Sequence, residues 1–138
     1  MTFLCTNGRK RKIKNIRKYL IDWDADSRSG IQKDVKGHIK AYWFSDYVFE
    51  EFPVAGTRLT LDFYNATQKI AIEVDGNQHY KYNKFFHSNS RQNFLAQLQR
   101  DEKKEYFCEI NKIKLIRVLE SEVVESPDYP DNLLKLLK

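Results

Sequence analysis

The sequence predicts an α/β fold of the mixed α+β kind, a central mixed β-sheet flanked by helices, from three observations. Apolar residues recur at helical spacing over 10–23 and again over 31–43. Between Tyr47 and Asp75 the period switches to two, in alternating runs joined by short polar links. A long helical pattern and one more apolar run follow, giving the order ααβββαβα and a sheet that needs helices on its faces.

Ile13, Ile16, Leu20 and Trp23 fall along one side of the first expected helix. Its other sides carry Arg9, Lys10, Arg11, Lys12, Lys14, Arg17 and Lys18, a run that contains no acid. With a loop expected over 24–30, residues 1–30 read as a basic helical extension to a domain of 31–138. In the second helix Ile31, Val35, Ile39 and Trp43 step by four, although Gly37 weakens its propensity.

Val48, Glu50 and Phe52 then alternate with Phe49 and Glu51 until Pro53 and Gly56 break the pattern. Residues 58–64 and 69–75 alternate strictly around the polar Asn65-Ala66-Thr67-Gln68, which predicts an antiparallel hairpin. Its buried face is expected to join Leu59, Leu61 and Phe63 to Ile70, Ile72 and Val74. The opposite face then carries Thr60, Asp62 and Tyr64 beside Ala71, Glu73 and Asp75. After Gly76-Asn77, residues 78–89 form a polar and aromatic loop. A helix is expected over 90–109, with Phe94, Leu95, Leu98, Phe107 and Ile110 as its apolar stripe and Asn111 as a left-handed stop. A core strand over 113–119 and a short last helix capped by Asp131 complete the chain.

At 138 residues, with 41% hydrophobic and 14% aromatic side chains, the chain suits one globular domain with a real core. No apolar run reaches the roughly 18–20 residues that span a bilayer, and the first residues lack the apolar stretch of a secretory signal, so none is expected. Cys5 and Cys108 make neither a disulfide framework nor a CxxC zinc motif, so a reduced, cytoplasmic setting is expected. The net charge of +5 is concentrated in the run from Arg9 to Lys18. Such a run suits the phosphate backbone of a nucleic acid, with double-stranded DNA the partner expected; a solvated helix face or a disordered basic arm is the alternative.

Asp62 and Glu73 are the residues that point to chemistry. One hairpin turn apart and equal in parity, their Cβ atoms should lie about 5–8 Å apart, within reach of a shared cation. Hard oxygen ligands favour Mg²⁺ or Mn²⁺, and such an ion would neutralise a phosphate and lower the pKa of a bound water. An ordinary exposed sheet face is the alternative, but Asp is depleted in strands and three acids on one face repel one another. They could also be paired to Arg117 or Lys114.

Asp62, a hairpin and then Glu73-Val74-Asp75 resembles the PD-(D/E)XK nuclease arrangement, an acid on one strand followed by ExK on the next. The wider stretch is similar to small phage-encoded endonucleases of that superfamily, including free-standing homing enzymes, and to the layout of the very-short-patch-repair nucleases. The matching pieces are Glu51-Phe52-Pro53-Val54, Leu61-Asp62-Phe63-Tyr64, Ile72-Glu73-Val74-Asp75-Gly76, Gln78-His79, Arg100-Asp101 and Lys114-Leu115-Ile116-Arg117-Val118. The resemblance implies a restriction-endonuclease-like core, with Asp62 and Glu73 as metal ligands and the Val74 carbonyl as a third.

Asp75 departs from that pattern, standing where the superfamily usually has Lys. It either joins the metal shell, leaves the cationic role to Lys81, Lys103 or Lys104, or marks a weakened enzyme. His79 suits acid–base work, a role the repair-type layout also implies, and the alternative is a structural loop histidine. Asp101 lies near the inward stripe of the long helix, where it would orient His79 or pair with Lys104. Tyr80, Tyr82, Phe85 and Phe86 interleave with Lys81 and Lys84 as in nucleic-acid-binding loops, or else pack together. His38 and His87 read as ordinary surface residues.

The expected activity is divalent-metal-dependent hydrolysis of DNA, of the homing type. A mismatch- or junction-specific repair nuclease and a catalytically weak nucleic-acid-binding module with the same fold are the rivals. A monomer and a homodimer are both compatible with the sequence, and cutting both strands at once would favour the dimer.

Overall fold

The computed structural model describes residues 1–76 and 88–138. Strands β1 (Thr2–Leu4) and β2 (Lys10–Lys12) form a two-stranded antiparallel ribbon. Strands β3 (Val48–Pro53), β4 (Thr60–Asn65), β5 (Ile70–Asp75) and β6 (Lys114–Leu119) form a four-stranded mixed sheet in that order. The first three pair antiparallel and β6 joins β5 in parallel. That parallel step needs a crossover, and helix α2 (Ser88–Ile110) lies within it.

Helix α1 (Gly30–Trp43) begins where the Ser29 hydroxyl accepts the Gln32 N–H at 3.1 Å. It buries Val35, Ile39 and Trp43 in a cluster with Phe63, Ile72 and Val118 of the sheet and Leu133 of α3 (Asp131–Leu136). On the other face, Phe107 and Cys108 of α2 cluster with Phe49, Phe52 and Tyr64 of the sheet and Phe3 of β1. Burying each such large side chain stabilises the fold by about 1.5–3 kcal/mol. The mixed sheet flanked by helices is therefore as expected, with both faces covered.

The basic segment is not the helix that its spacing predicts. Asn7-Gly8 is a hairpin turn signal: Gly8 takes a φ of 85°, its N–H donates to Cys5 O at 2.9 Å, and Cys5 N–H donates to Arg9 O at 2.7 Å. Asn15, at φ 53°, blocks continuous helix, and only a 3-10 turn forms at Ile16–Tyr19. Seven cations crowded on one helix would also repel one another. Phe3 and Cys5 are buried in the core cluster, so the segment is packed onto the sheet.

Four smaller expectations also change. Leu61 and Leu59 pack with Phe49 and Tyr64 rather than with Phe63. Glu51, at φ 52°, interrupts the ladder between Glu50↔Phe63 and Phe52↔Leu61, so strict alternation does not carry past it. Leu95 is 47% exposed, because the inward side of that half of α2 carries Gln97, Asp101 and Lys104. The left-handed stop is Lys112, at φ 57°, rather than Asn111.

Asn111 has a different task. Its carboxamide accepts Leu4 N–H at 2.8 Å and donates to Leu4 O at 2.9 Å, completing the edge of β1 as a neighbouring strand would. The same amide donates to Phe107 O at 2.9 Å, so one side chain ties the ribbon to the end of α2. Asn111→Ala should therefore cost about 1–3 kcal/mol in urea denaturation, since it strips partners from part-buried backbone groups. Wild-type stability in this variant would contradict the clamp.

Candidate active site

The site forms where β4 and β5 stop pairing. Their backbone partners run Asn65↔Ile70, Tyr64↔Ala71 and Phe63↔Ile72. Continuing that register places Asp62 opposite Glu73, and there carboxylates take the place of ladder partners. Val74 N–H donates to Asp62 Oδ2 at 2.8 Å, and Asp62 N–H donates to Glu73 Oε2 at 3.3 Å. Both acids are 2% exposed, so the alternative of an ordinary exposed sheet face does not hold, and α2 residues line the site beside them.

Each acid faces a cation. Arg28 approaches Asp62 Oδ1 at 3.4 Å and Glu51 Oε2 at 3.8 Å, from the loop before α1. Lys104 Nζ of α2 lies 2.5 Å from Glu73 Oε1. The ammonium is not aligned as a donor, and that buried oxygen has no hydrogen-bond partner among the described residues. Burial first, and the neighbouring Asp62 charge second, push the Glu73 carboxyl up to about 8, against the pull of Lys104.

Asp75 turns instead to Arg117, which pairs with Glu73 in the β5–β6 register. Its guanidinium lies 3.5 Å from Asp75 Oδ2, 3.5 Å from Asp101 Oδ1 and 3.1 Å from Glu105 Oε1, and donates to Asp101 O at 3.0 Å. Asp101 also accepts from Gln97 Nε2 at 3.1 Å. Of the lysines considered for the motif position, Lys104 reaches the acids. His79, with Gln78 and the aromatic run to His87, lies outside the described residues. His38 sits against Tyr129 and Asp34, an ordinary surface arrangement.

A cleft of about 270 Å³ opens over the acids, lined by Arg28, Arg58, Arg100 and Lys104 above Asp62, Glu73 and Asp75. Basic walls over an acidic floor suit an anionic ligand held through a cation. Among the described residues, no three His, Cys, Asp or Glu side chains stand in a metal-holding group.

Arg28, Gln32 and Lys36 were not foreseen. Lys36 is 1% exposed, and its Nζ donates to Glu50 Oε1 at 2.8 Å and to Ala25 O at 3.1 Å. Gln32 Nε2 donates to Glu50 Oε2 at 2.9 Å and to Glu51 Oε1 at 3.1 Å. Thr60 completes Glu51 with a hydroxyl at 2.8 Å. Both glutamates of β3 are thus held from α1 and β4. The available signal was that Gln32 and Lys36 border the Val35–Ile39 stripe, where a polar group needs a buried partner.

The seven basic residues of 9–18 do not enter the cleft; all are exposed, and none forms an ion pair among the described residues. No helix of the described residues is long and apolar enough to cross a membrane.

The chain is similar to viral proteins. It is 39% identical over 66 residues to Uncharacterized protein 033L of Invertebrate iridescent virus 3, covering 48% of the chain and 34% of that protein. It is 44% identical over 66 residues to Uncharacterized protein 094L of Frog virus 3 (isolate Goorha), covering 48% and 43%. It is 39% identical over 79 residues to Uncharacterized protein 307L of Invertebrate iridescent virus 6, covering 57% and 39%. The matched stretches thus span 34–43% of the length of these relatives. No family model matches the chain, and no solved structure gives a significant match.

The raised Glu73 carboxyl has a testable sign. Between its ordinary 4.5 and about 8, the folded state keeps a proton that the unfolded chain has released. Stability in the presence of a chelator should therefore fall as pH rises through that window. Glu73→Gln should remove this fall and exceed wild type in stability at the alkaline end. Superimposable urea denaturation midpoints for the two proteins across the window would contradict it.

Proposed function

We propose that the chain is a divalent-metal-dependent endonuclease that hydrolyses phosphodiester bonds in double-stranded DNA, with a PD-(D/E)XK arrangement. The observation that carries this reading is the buried, adjacent pair Asp62 and Glu73 at the floor of a basic cleft. Two charges placed this way cost stability unless a third group answers them. Mg²⁺ or Mn²⁺ fits the donor set, because such ions take one or two protein carboxylates and otherwise water and phosphate oxygens. Glu73 Oε1 is buried beside Lys104 yet accepts no hydrogen bond among the described residues, which supports that fit. Asp62 and Glu73 would hold the ion, with the Val74 carbonyl as the resemblance implies. When bound, the ion supplies charge neutralisation at the phosphate and a water of lowered pKa.

The remaining work falls to the chain itself. Lys104 stands at Glu73 as the motif lysine would, placed to orient a water and to donate to charge developing on phosphate oxygens. Arg28, Arg58 and Arg100 bind and orient the phosphate backbone from the cleft walls. Asp75 and Asp101 act as positioning residues, fixing Arg117 against β5. His79 is assigned the acid–base role. The viral relatives fit a virus-encoded enzyme, of the homing or the repair type.

A second reading, a DNA-binding domain without hydrolytic activity, is favoured by one observation. Asp62, Glu73 and Asp75 each already face a protein cation. Supercoiled plasmid incubated with Mg²⁺ or Mn²⁺ separates the two. The nuclease reading expects nicked or linear product from wild type, and none above background from Asp62→Asn or Glu73→Gln. Lys104→Ala should lose roughly 10²–10³-fold in rate, as removal of a charge-stabilising donor does. Asp75→Asn should lose less. DNA that is bound but left intact under both ions would establish the second reading, and full activity in Asp62→Asn would overturn the site.

A further inference from the structure

We propose that the β1–β2 ribbon is a docking element for the major groove of B-form duplex DNA. This rests on DNA being the partner, but not on its being cut. Opposed residues of an antiparallel pair share a face, and the register is Thr2↔Lys12, Phe3↔Arg11 and Leu4↔Lys10. Phe3 is buried in the core, so the other face of the ribbon carries Thr2, Lys10 and Lys12 together with the half-buried Leu4. Thr6, Asn7 and Arg9 are exposed at its turn. No acid occurs before Asp22, so nothing on the ribbon itself opposes a phosphate.

The shape selects the partner. A two-stranded ribbon fits the major groove of B-DNA, about 12 Å wide, and not the minor groove, about 6 Å wide. The major groove of duplex RNA is too deep and narrow for it. A single strand is best held on exposed aromatic rings, and the outward face has none. Arg9 is suited to guanine O6 and N7, while Lys10 and Lys12 reach phosphates.

The ribbon is also braced by hydrogen bonds and tied to the cleft. Asn111 fixes both backbone groups of Leu4, and the turn is closed by Arg9 N–H donating to Asn7 Oδ1 at 3.0 Å. A preorganised element loses little ordering entropy on binding. Cys5 Sγ lies 3.0 Å from where a Cβ on Gly56 would stand, so the ribbon abuts the turn that leads to Arg58 in the cleft wall. Thr6 shares a surface groove with Gln99, Glu102, Lys103 and Tyr106 of α2, the helix that carries Arg100 and Lys104 into the cleft. Both supports of the ribbon thus lead directly to the walls of the cleft.

The test is binding by the full chain in a chelator, so that cleavage plays no part. Fluorescence anisotropy would compare a DNA duplex, an RNA duplex of the same sequence and single-stranded DNA. Wild type should favour the DNA duplex by about tenfold or more, with a log–log salt slope set by its phosphate contacts. Combined Asn7→Ala, Arg9→Ala, Lys10→Ala and Lys12→Ala, all on exposed positions, should lose about tenfold in affinity. Its slope should be shallower by up to about 0.9 per lost contact. Methylation of guanine N7 should interfere with wild-type binding at discrete positions and not with binding by the variant. Equal affinity for duplex RNA or single strands, absence of N7 interference with wild type, or wild-type affinity and slope in the variant would overturn the proposal. Groove binding with no cleavage in the plasmid assay would leave it standing while removing the nuclease reading.

Discussion

The register of β4 and β5, with Phe63 opposite Ile72, carries two like charges into one buried place. A hairpin normally closes such a ladder with backbone pairs. Here the strands stop pairing one step earlier, and Asp62 and Glu73 take up N–H groups from Val74 and Asp62. The carboxylates are therefore part of the hairpin's own hydrogen bonding. Their mutual repulsion and burial set the electrostatic problem that the surrounding elements answer.

The answer comes from both sides of the sheet. Arg28 meets Asp62, and the Lys36–Glu50–Gln32 network holds Glu51 behind it. From α2 and β6, Lys104 meets Glu73 while Arg117 gathers Asp75, Asp101 and Glu105. Such pairs are poor sources of net stability, yet removing one partner of a buried pair costs about 3–5 kcal/mol. The helices are thus held in place by charge as well as by Phe107 and Trp43. Lys36 is the clearest case, a lysine 1% exposed whose pairing with Glu50 locks α1 over the site.

Much of this was legible in the sequence where short periodicity decides structure. The helix from Gly30 to Trp43, the hairpin and the last core strand all follow from it, and equal parity alone aligned Asp62 with Glu73. The first helix failed because Ile13, Ile16 and Leu20 mimic helical spacing while Asn7-Gly8 signals a hairpin of two very short strands. Long-range contacts were only partly in reach: Arg117 stood as one possible partner of the acids, and it is Asp75 that it meets. The partner of Asp75 depends on the parallel register with β6, which no local pattern encodes. Lys104 could be ranked above its neighbours only once the rotation of α2 was known. Leu61 joins the cluster of Phe49 and Tyr64 although it alternates with Phe63, a packing choice that local pattern does not encode.

The proposed activity depends above all on Asp62 and Glu73 acting together as a cation site. Titration of the full chain with Mn²⁺, followed by electron paramagnetic resonance of the free ion, measures that property without reference to cleavage. Wild type should show a saturable site from which Mg²⁺ displaces Mn²⁺, and that site should be lost when Asp62→Asn and Glu73→Gln are combined. Undiminished Mn²⁺ binding in the double variant, or no saturable binding by wild type, would contradict it.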